Sequence, residues 1–321
     1  MASLQKGWTV EGDYKIPSDL QYADIRRWRR LMGMKEILLM MVAVVLVGCS
    51  KDTPETSQAA EAEPQVASKP TPEPTPEPDP VSPADEKLIA DPTFEKAVRR
   101  SLEKTEGKLT EKDLGKVKVL NFMSYNLRSD IKITDEGLKD MAKLQNLKTP
   151  TLGRQKITDA GLKEVTKLQQ LEHLVLDHTQ ITDVGLMELA NMQKLKWLFL
   201  RYTEITDAGL KEVVKLQNLE KLVLTDTKIT DAGLKEVAKL QKLEALILAN
   251  TQITDVGLKE VAKLQKLEGL DLTNTQITDA GLKEVAKLQQ LTRLDFMHTK
   301  ITDEGVAELK KALPNCEIEG P

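Results

Sequence analysis

The sequence predicts an α/β solenoid, in which short repeats each supply one strand and one helix and stack into a single core. Three observations carry this prediction. Ile-Thr-Asp-x-Gly-(Leu or Val) recurs at Ile133, Ile157, Ile181, Ile205, Ile229, Ile253, Ile277 and Ile301, always 24 residues apart. Within each unit the apolar spacing changes from alternate residues to every third and fourth, the pattern of a strand followed by an amphipathic helix. The segments flanking the array break the period, as end caps do. A unit this short cannot bury its own apolar face, so stacking is obligatory and leaves a long open surface.

In chain order, the first element is an apolar run from Ile37 to Val47, preceded by Lys35-Glu36 and ending in Leu46-Val47-Gly48-Cys49-Ser50. A bilayer span takes about 20 residues, so the run instead suits the apolar segment of a cleaved export signal. Leu-Val-Gly-Cys resembles a bacterial lipobox. That resemblance implies cleavage before Cys49, acylation of its thiol and anchoring in the cell envelope by several acyl chains, because one chain alone binds marginally. Ser50 in the next position leans, by the same analogy, toward the outer membrane. Residues 1–48 are read as a signal region that is removed. An ordinary signal would start at Met32 or Met34, which makes residues 1–31 an over-extended start; a long basic n-region containing Arg26-Arg27 and Arg29-Arg30 is the alternative.

Residues 49–87 follow as lipid attachment site and stalk. Their composition turns to Pro, Glu, Thr, Ala and Ser, culminating in the alternating prolines of Pro70 to Pro80. Such a segment forms no core and favours extended polyproline II at about 3.1 Å per residue, a semi-rigid spacer. Residues 88–125 form a helical cap: Asp91-Pro92 opens one helix running toward Leu102, and Leu109-Thr110 opens a second, short one ending near Leu114.

The repeats occupy residues 126–301. In Leu171-Glu-His-Leu174-Val-Leu176-Asp-His-Thr179-Gln-Ile181 alternate leucines line one side of a strand, and from Val184 the apolar positions lie three and four apart. Thr182 and Asp183 are both placed to cap the helix, and the carboxylate also suits the positive end of the helix dipole. The spacing L-x-x-L-x-L-x-x-T-x-I resembles the leucine-rich repeat, with Thr179, Thr203, Thr227, Thr251, Thr275 and Thr299 in the position usually held by Asn or Cys. It is most similar to bacterial repeats reading TD-x-G-L, related to the cysteine-containing class, and the resemblance covers residues 88–321. It implies a right-handed horseshoe with parallel strands on the concave face, helices on the convex face, and protein recognition on the concave side. The segment D-P-x-F-x-x-A-V-R-x-x-L followed by L-T-x-x-D-L resembles the N-terminal cap of many such proteins.

Two departures from the consensus stand out in the first regular strand. Pro150 replaces a strand leucine and Gln155 replaces the repeated threonine, so this copy is expected to pair and pack less well than its neighbours. Residues 302–321 close the array, with Ile318 in the strand-leucine register. Cys316 has no partner once Cys49 is acylated, and is expected to be a buried, reduced thiol.

Charge narrows the class of partner. Residues 1–48 hold seven of the 46 Lys and Arg and five of the 50 Asp and Glu, so the remainder carries a net charge of −6. This disfavours nucleic acid, and no basic stripe interleaved with aromatics appears. Lys-Glu pairs such as Lys235-Glu236 and Lys259-Glu260 read as the solvated helix surface. His178 and His298 lie five repeats apart, about 24 Å at the strand spacing, so the histidines cannot converge on a metal. No cofactor is implied.

Positions that differ between copies must carry function, because the shared ones are explained by folding. The central outward strand position reads Thr151, Val175, Phe199, Val223, Ile247, Asp271 and Asp295. Its neighbours add His173, Trp197 and Lys221 on one side and Asp177 and Arg201 on the other, with Tyr202 next in sequence. Aromatic residues are 3% of the chain, so Trp197, Phe199 and Tyr202 together mark one strand as a local centre. Exposed apolar surface with Trp, Tyr and Arg suits a binding site; the competing reading is that β-branched outward residues merely suit a strand. Asp271 and Asp295 would sit near the roughly 5 Å separation of retaining glycosidases, with Arg293 and Asn274 offering charge compensation. The sequence therefore reads as a lipid-anchored envelope protein, not an enzyme, whose concave face binds a protein, with a peptide or glycan as variants of that reading. The alternatives are a structural spacer and a glycan hydrolase.

Overall fold

The computed structural model describes residues 87–122 and 132–320, all of which fall within one unit of the chain, Pro72–Pro321. The signal region, Cys49, the stalk as far as residue 86 and the start of the first repeat at 126–131 lie outside the described residues. None of the described helices is long and apolar enough to cross a membrane.

Helix α1 (Pro92–Ser101) starts where the sequence places it: the Asp91 carboxylate accepts from the Phe94 amide, and proline occupies the first helical position. Helix α2 (Glu111–Leu114) opens with a reciprocal capping box between Thr110 and Asp113. Lys104 and Lys116 each reach Asp113 at 2.9 Å. Together with the Thr110 bonds they hold its carboxyl well below the usual range. Strand β1 (Val119–Asn121) then begins the sheet.

After α3 (Asp135–Leu138) and a turn of 3-10 helix at Lys139–Lys143, strand and helix alternate without exception. The elements are β2 (Thr149–Thr151), α4 (Asp159–Val165), β3 (His173–Val175), α5 (Asp183–Leu189), β4 (Trp197–Phe199) and α6 (Asp207–Val213). They continue with β5 (Lys221–Val223), α7 (Asp231–Val237), β6 (Ala245–Ile247), α8 (Asp255–Val261), β7 (Gly269–Asp271), α9 (Asp279–Val285), β8 (Arg293–Asp295), α10 (Asp303–Ala312) and β9 (Glu317–Glu319). The nine strands form one open parallel sheet in chain order. Between them run the leucines and isoleucines of every repeat, nearly all 0–1% exposed, in one continuous core that Phe94 and Phe122 extend into the cap. Ile318 pairs with Leu294, so the last strand keeps the leucine register that the sequence assigned to it.

The repeated Thr-Asp-x-Gly proves to be a joint between repeats. Threonine is the helix N-cap: the Thr230 hydroxyl accepts from the Ala232 amide at 3.3 Å, and its counterparts from Thr158 to Thr278 do the same in the other regular copies. The aspartate reaches forward to the next copy. Asp207 accepts from the Thr230 amide at 2.8 Å through Oδ1 and from the Thr230 hydroxyl at 2.6 Å through Oδ2. The same pair of bonds recurs from Asp135–Thr158 to Asp279–Thr302. From Gly161 to Gly305, the glycine two residues beyond the aspartate leaves room for the carboxylate of the preceding copy: a Cβ at Gly233 would overlap Asp207 Oδ1 and lie 2.7 Å from Leu210 Cδ1.

The cap joins the array through a variation of this joint. Asp140 accepts from the Ala90 and Asp91 amides at 2.7 and 2.9 Å and from Lys143 at 2.7 Å. Burial pushes this carboxyl up, but Lys143 and the two amides outweigh it and hold it below its ordinary range.

The expected weak joint is corrected in part. The β2–β3 ladder has one register pair, Thr151 with Val175, where β3–β4 has three, as the missing Pro150 amide predicts. Gln155, however, is no loss. It is buried, its Oε1 accepts from the Ile133 amide at 2.9 Å, and its Nε2 donates to the Phe122 carbonyl at 3.1 Å. Thr179 and its equivalents only close their own turn, with the Thr179 hydroxyl donating to the Leu176 carbonyl at 2.6 Å. The longer amide side chain spans from this copy to the one before.

The Lys-Glu surface also pairs differently from its sequence neighbours. Glu236 bonds Lys239 and Glu260 bonds Lys263, each at 2.6 Å. Residues three apart share a helix face, whereas adjacent ones do not.

Candidate functional site

Alternation along each strand sends Leu174, Leu198, Leu222, Leu246, Leu270 and Leu294 into the core and the flanking residues to the opposite, concave face of the sheet. His173, Val175, Trp197, Phe199, Lys221, Val223 and Ile247 therefore share one face, in unbroken register from β3 to β6. The expectation that this stripe is exposed is corrected. Val175, Val223 and Ile247 are buried, Trp197 is 7% exposed and Phe199 2%. Parallel strands about 4.8 Å apart bring side chains in register into contact, so each shields the flanks of the next. The accessible part is the fringe: His173, Arg201 and Lys221 are half-buried, and Tyr202 is 43% exposed.

At one edge of the stripe, three adjacent strands build a stack. The His173 ring lies 3.8 Å from the Trp197 ring with 14° between their planes, and Lys221 Nζ sits 4.2 Å from the indole centroid. His173 also meets the Thr149 hydroxyl at 3.2 Å through Nδ1. An ammonium over an indole face is attracted by the ring quadrupole, by about 0.5–2 kcal/mol depending on exposure. The Trp197 Nε1 is buried without a hydrogen-bond partner.

At the other edge, Asp177 is buried and accepts from the Arg201 amide at 2.9 Å, tying β3 to β4 beyond the strand ends. Burial pushes its carboxyl above the ordinary range, against the pull of Arg201 and Arg154. The next residue in each copy turns the chain in the left-handed region: Arg154, His178, Tyr202, Asp226, Asn250, Asn274 and His298 all have φ between +52° and +62°. Asn, Asp and His tolerate that conformation, and the array mostly uses them. Tyr202 has no such preference and pays roughly 1–2 kcal/mol for it. Its ring stacks on His178 at 4.2 Å and 12°. Burial lowers the His178 pKa, and Arg154 and Arg201 add to the effect. This row was missed in the sequence, although the residue preceding each repeated threonine, rich in Asn, Asp and His, is its signal.

Asp271 and Asp295 are in register on β7 and β8 and both are buried. The charge compensation expected from Arg293 and Asn274 is corrected: Arg293 pairs with Glu317 at 2.8 Å, and the Asn274 amide donates to Asn250. The aspartates instead hold the chain beyond their strands. Asp271 Oδ1 accepts from the Thr273 amide at 2.9 Å, while Asp295 Oδ1 accepts from the Thr273 hydroxyl at 2.8 Å and the Met297 amide at 3.2 Å. Among the described residues no three His, Cys, Asp or Glu side chains are placed to hold a metal ion. Cys316 is half-buried rather than buried, and its thiol is pushed up to about 11 by burial and by Glu317.

Residues 175–317 match the family described as leucine-rich repeat region. No curated protein matches the sequence. Among solved structures, internalin C2 of Listeria monocytogenes is 26% identical over 73% of this chain and 95% of that one, with a TM-score of 0.57. A second internalin of the same organism, InlF, is 23% identical over 73% of this chain and 77% of that one, with a TM-score of 0.47. The 24-residue period, the open parallel sheet in chain order and the likeness to internalin C2 agree: the chain folds as a leucine-rich repeat solenoid, with residues 175–317 matched as a leucine-rich repeat region.

Proposed function

We propose that this protein is a cell-envelope lipoprotein, acylated at Cys49, whose concave sheet face recognises another protein. The observation that carries recognition is the cluster on β3–β5, where His173, Trp197 and Lys221 stack across three strands with Arg201 and Tyr202 at the other edge. Tryptophan, tyrosine and arginine are the residues that dominate binding energy at interfaces. His173, Arg201, Lys221 and Tyr202 lie outside the hydrophobic core, and Trp197 is buried on the concave face apart from the leucine core. Because the apolar centre is already buried, the accessible cations and Tyr202 discriminate between partners, and Trp197 and Phe199 form the floor.

The test is cross-linking capture from envelope preparations with wild type, Tyr202→Ala, Arg201→Ala and the helix-face control Lys235→Ala. A partner retained by wild type and the control but reduced at least tenfold by both concave variants supports the reading. A partner indifferent to all three places recognition elsewhere. Anchoring is tested separately: Cys49→Ser should leave the protein unprocessed or release it from membranes. Unchanged processing and detergent partitioning would overturn the lipoprotein assignment.

A further inference from the structure

The residue before each repeated threonine belongs to a row along the rim of the sheet. From Arg154 to Asn274 its backbone amide donates to a carbonyl of the next copy, as from His178 to Arg201 at 2.8 Å and from Tyr202 to Thr225 at 3.0 Å. Successive members therefore stand one strand step, about 4.8 Å, apart, each in the same left-handed turn. Side chains continue the ladder: Asn250 Nδ2 donates to Asp226 Oδ2 at 2.8 Å, and Asn274 Nδ2 donates to Asn250 Oδ1 at 2.6 Å. Asn250 and Asn274 are exposed and Asp226 is half-buried, so this ordered polar row is open to solvent.

Arg154 and Tyr202 are the two departures from Asn, Asp and His in this row, and Tyr202 is the one that folding explains least. The left-handed turn strains a tyrosine, and the Asn or Asp of the following copies would serve the turn better. The ring is nevertheless fixed, with one face on His178 at 4.2 Å and 12° from parallel. Tyr202 remains 43% exposed with that face covered, so its exposure belongs to the opposite face and the hydroxyl edge. The open face looks along the row over the shorter Asp226. A flat group laid on it would rest at the level of Asp226, with Asn250 one step beyond.

The chemistry of this step selects a sugar. An aromatic face is electron-rich and attracts the slightly positive C–H groups on the flat side of a pyranose ring. A carboxylate accepts from hydroxyls, and an amide both donates and accepts, so Asp226 and Asn250 suit the hydroxyl rim of the same ring. The carboxylate also repels an acidic sugar. A guanidinium would lie equally well on a tyrosine beside an aspartate. Arg154 and Arg201, however, are close enough to act on His178 and disfavour a third cation, which would also leave the amides unused. We propose that the rim step formed by Tyr202, Asp226 and Asn250 binds a neutral pyranose unit of an oligosaccharide, stacked on Tyr202 with its hydroxyls on Asp226 and Asn250. The site shares Tyr202 with the protein-recognition surface proposed above and does not rest on that reading.

The experiment is saturation-transfer difference NMR on the full chain with neutral gluco-, galacto- and manno-configured tetrasaccharides, and with tetragalacturonate as the charged counterpart. A neutral probe should receive saturation, strongest on the C–H protons of one ring, and tetragalacturonate should receive less. Tyr202→Asn should weaken binding of that probe about tenfold, whereas Tyr202→Phe, which keeps the ring face, should retain it. Asp226→Gly and Asn250→Gly remove the polar groups where glycine accepts the left-handed backbone without strain, and each should also weaken binding. Lys221→Met on the sheet face should leave it unchanged. Saturation of no neutral probe by wild type, or binding indifferent to Tyr202→Asn, Asp226→Gly and Asn250→Gly, would overturn the site. Sensitivity to Lys221→Met in place of Asp226→Gly would move the sugar onto the sheet face, which overturns the rim site and leaves recognition by that face standing. An arginine peptide that binds with the same variant pattern while no sugar does would make the step a guanidinium site and equally overturn the proposal.

Discussion

Gly233→Ala should destabilise the protein even though alanine is the better helix former. The substitution gains about 1 kcal/mol of helix propensity in α7. Against this, the new Cβ occupies the space of Asp207 Oδ1 and approaches Leu210 Cδ1 to 2.7 Å. Asp207 is short, and both its oxygens are held by Thr230, so relief requires turning the carboxylate away and losing both bonds. Hydrogen bonds to a charged group contribute about 1.5–3 kcal/mol each, and the lower figure applies at this half-exposed joint. Losing the pair removes about 3 kcal/mol, which leaves Gly233→Ala about 2 kcal/mol less stable than wild type. Asp207→Ala alone should lose about 3 kcal/mol. The double variant loses the same bonds only once and has no clash, so it should stand about 2 kcal/mol below wild type, whereas additivity would place it about 5 below; the coupling is about 3 kcal/mol. Urea denaturation followed by circular dichroism, with midpoint and slope both fitted, measures all four corners of the cycle. A stabilised Gly233→Ala, or an additive double variant, would refute the view that glycine is present to admit the aspartate of the preceding repeat.

Trp197→Ala and Phe199→Ala should each lower stability by about 3 kcal/mol, because large buried aromatic truncations cost about 3–5 kcal/mol; thermal melts within about 0.5 kcal/mol of wild type would show that the stripe is open after all. Gln155→Ala should cost about 2 kcal/mol by leaving the Ile133 amide without its buried acceptor, and should speed exchange of that amide more than exchange at Ile229. The Asp140 carboxyl is depressed in the folded state, so the stability it confers is present above its unfolded pKa and is lost as pH falls through the folded value. Asp140→Asn should therefore flatten the acid limb of the stability profile, and an unchanged limb would exclude this group as a contributor. Asp177 behaves with the opposite sign: its pKa is raised, so its penalty appears as pH rises through the folded value, and Asp177→Asn should stabilise the protein at neutral pH but not below the ordinary aspartate range of about 3.9. Equal effects at both pH values would reject that assignment.

The fold was legible in the sequence because the interactions that define it are local. Alternate leucines face one way on any strand, apolar residues three and four apart share a face on any helix, and the 24-residue period then requires the copies to stack. Asp91-Pro92 announced α1, and the spacing to Ile318 announced β9, for the same reason. What the tertiary structure alone decided lies between copies. Thr182 and Asp183 were equally suited to cap a helix; only the placement of the next repeat makes threonine the cap and sends the aspartate across to Thr206, 23 residues away. Gln155 looked like a defect until it was seen to reach Ile133 and Phe122. The outward stripe was correctly assigned to one face but read as open surface, because sequence gives the direction of a side chain and not the distance to the side chain in register on the neighbouring strand. Direction is set by the backbone of a single residue, whereas burial, capping and charge pairing depend on how closely separate repeats approach, and that distance is fixed only when the whole array has packed.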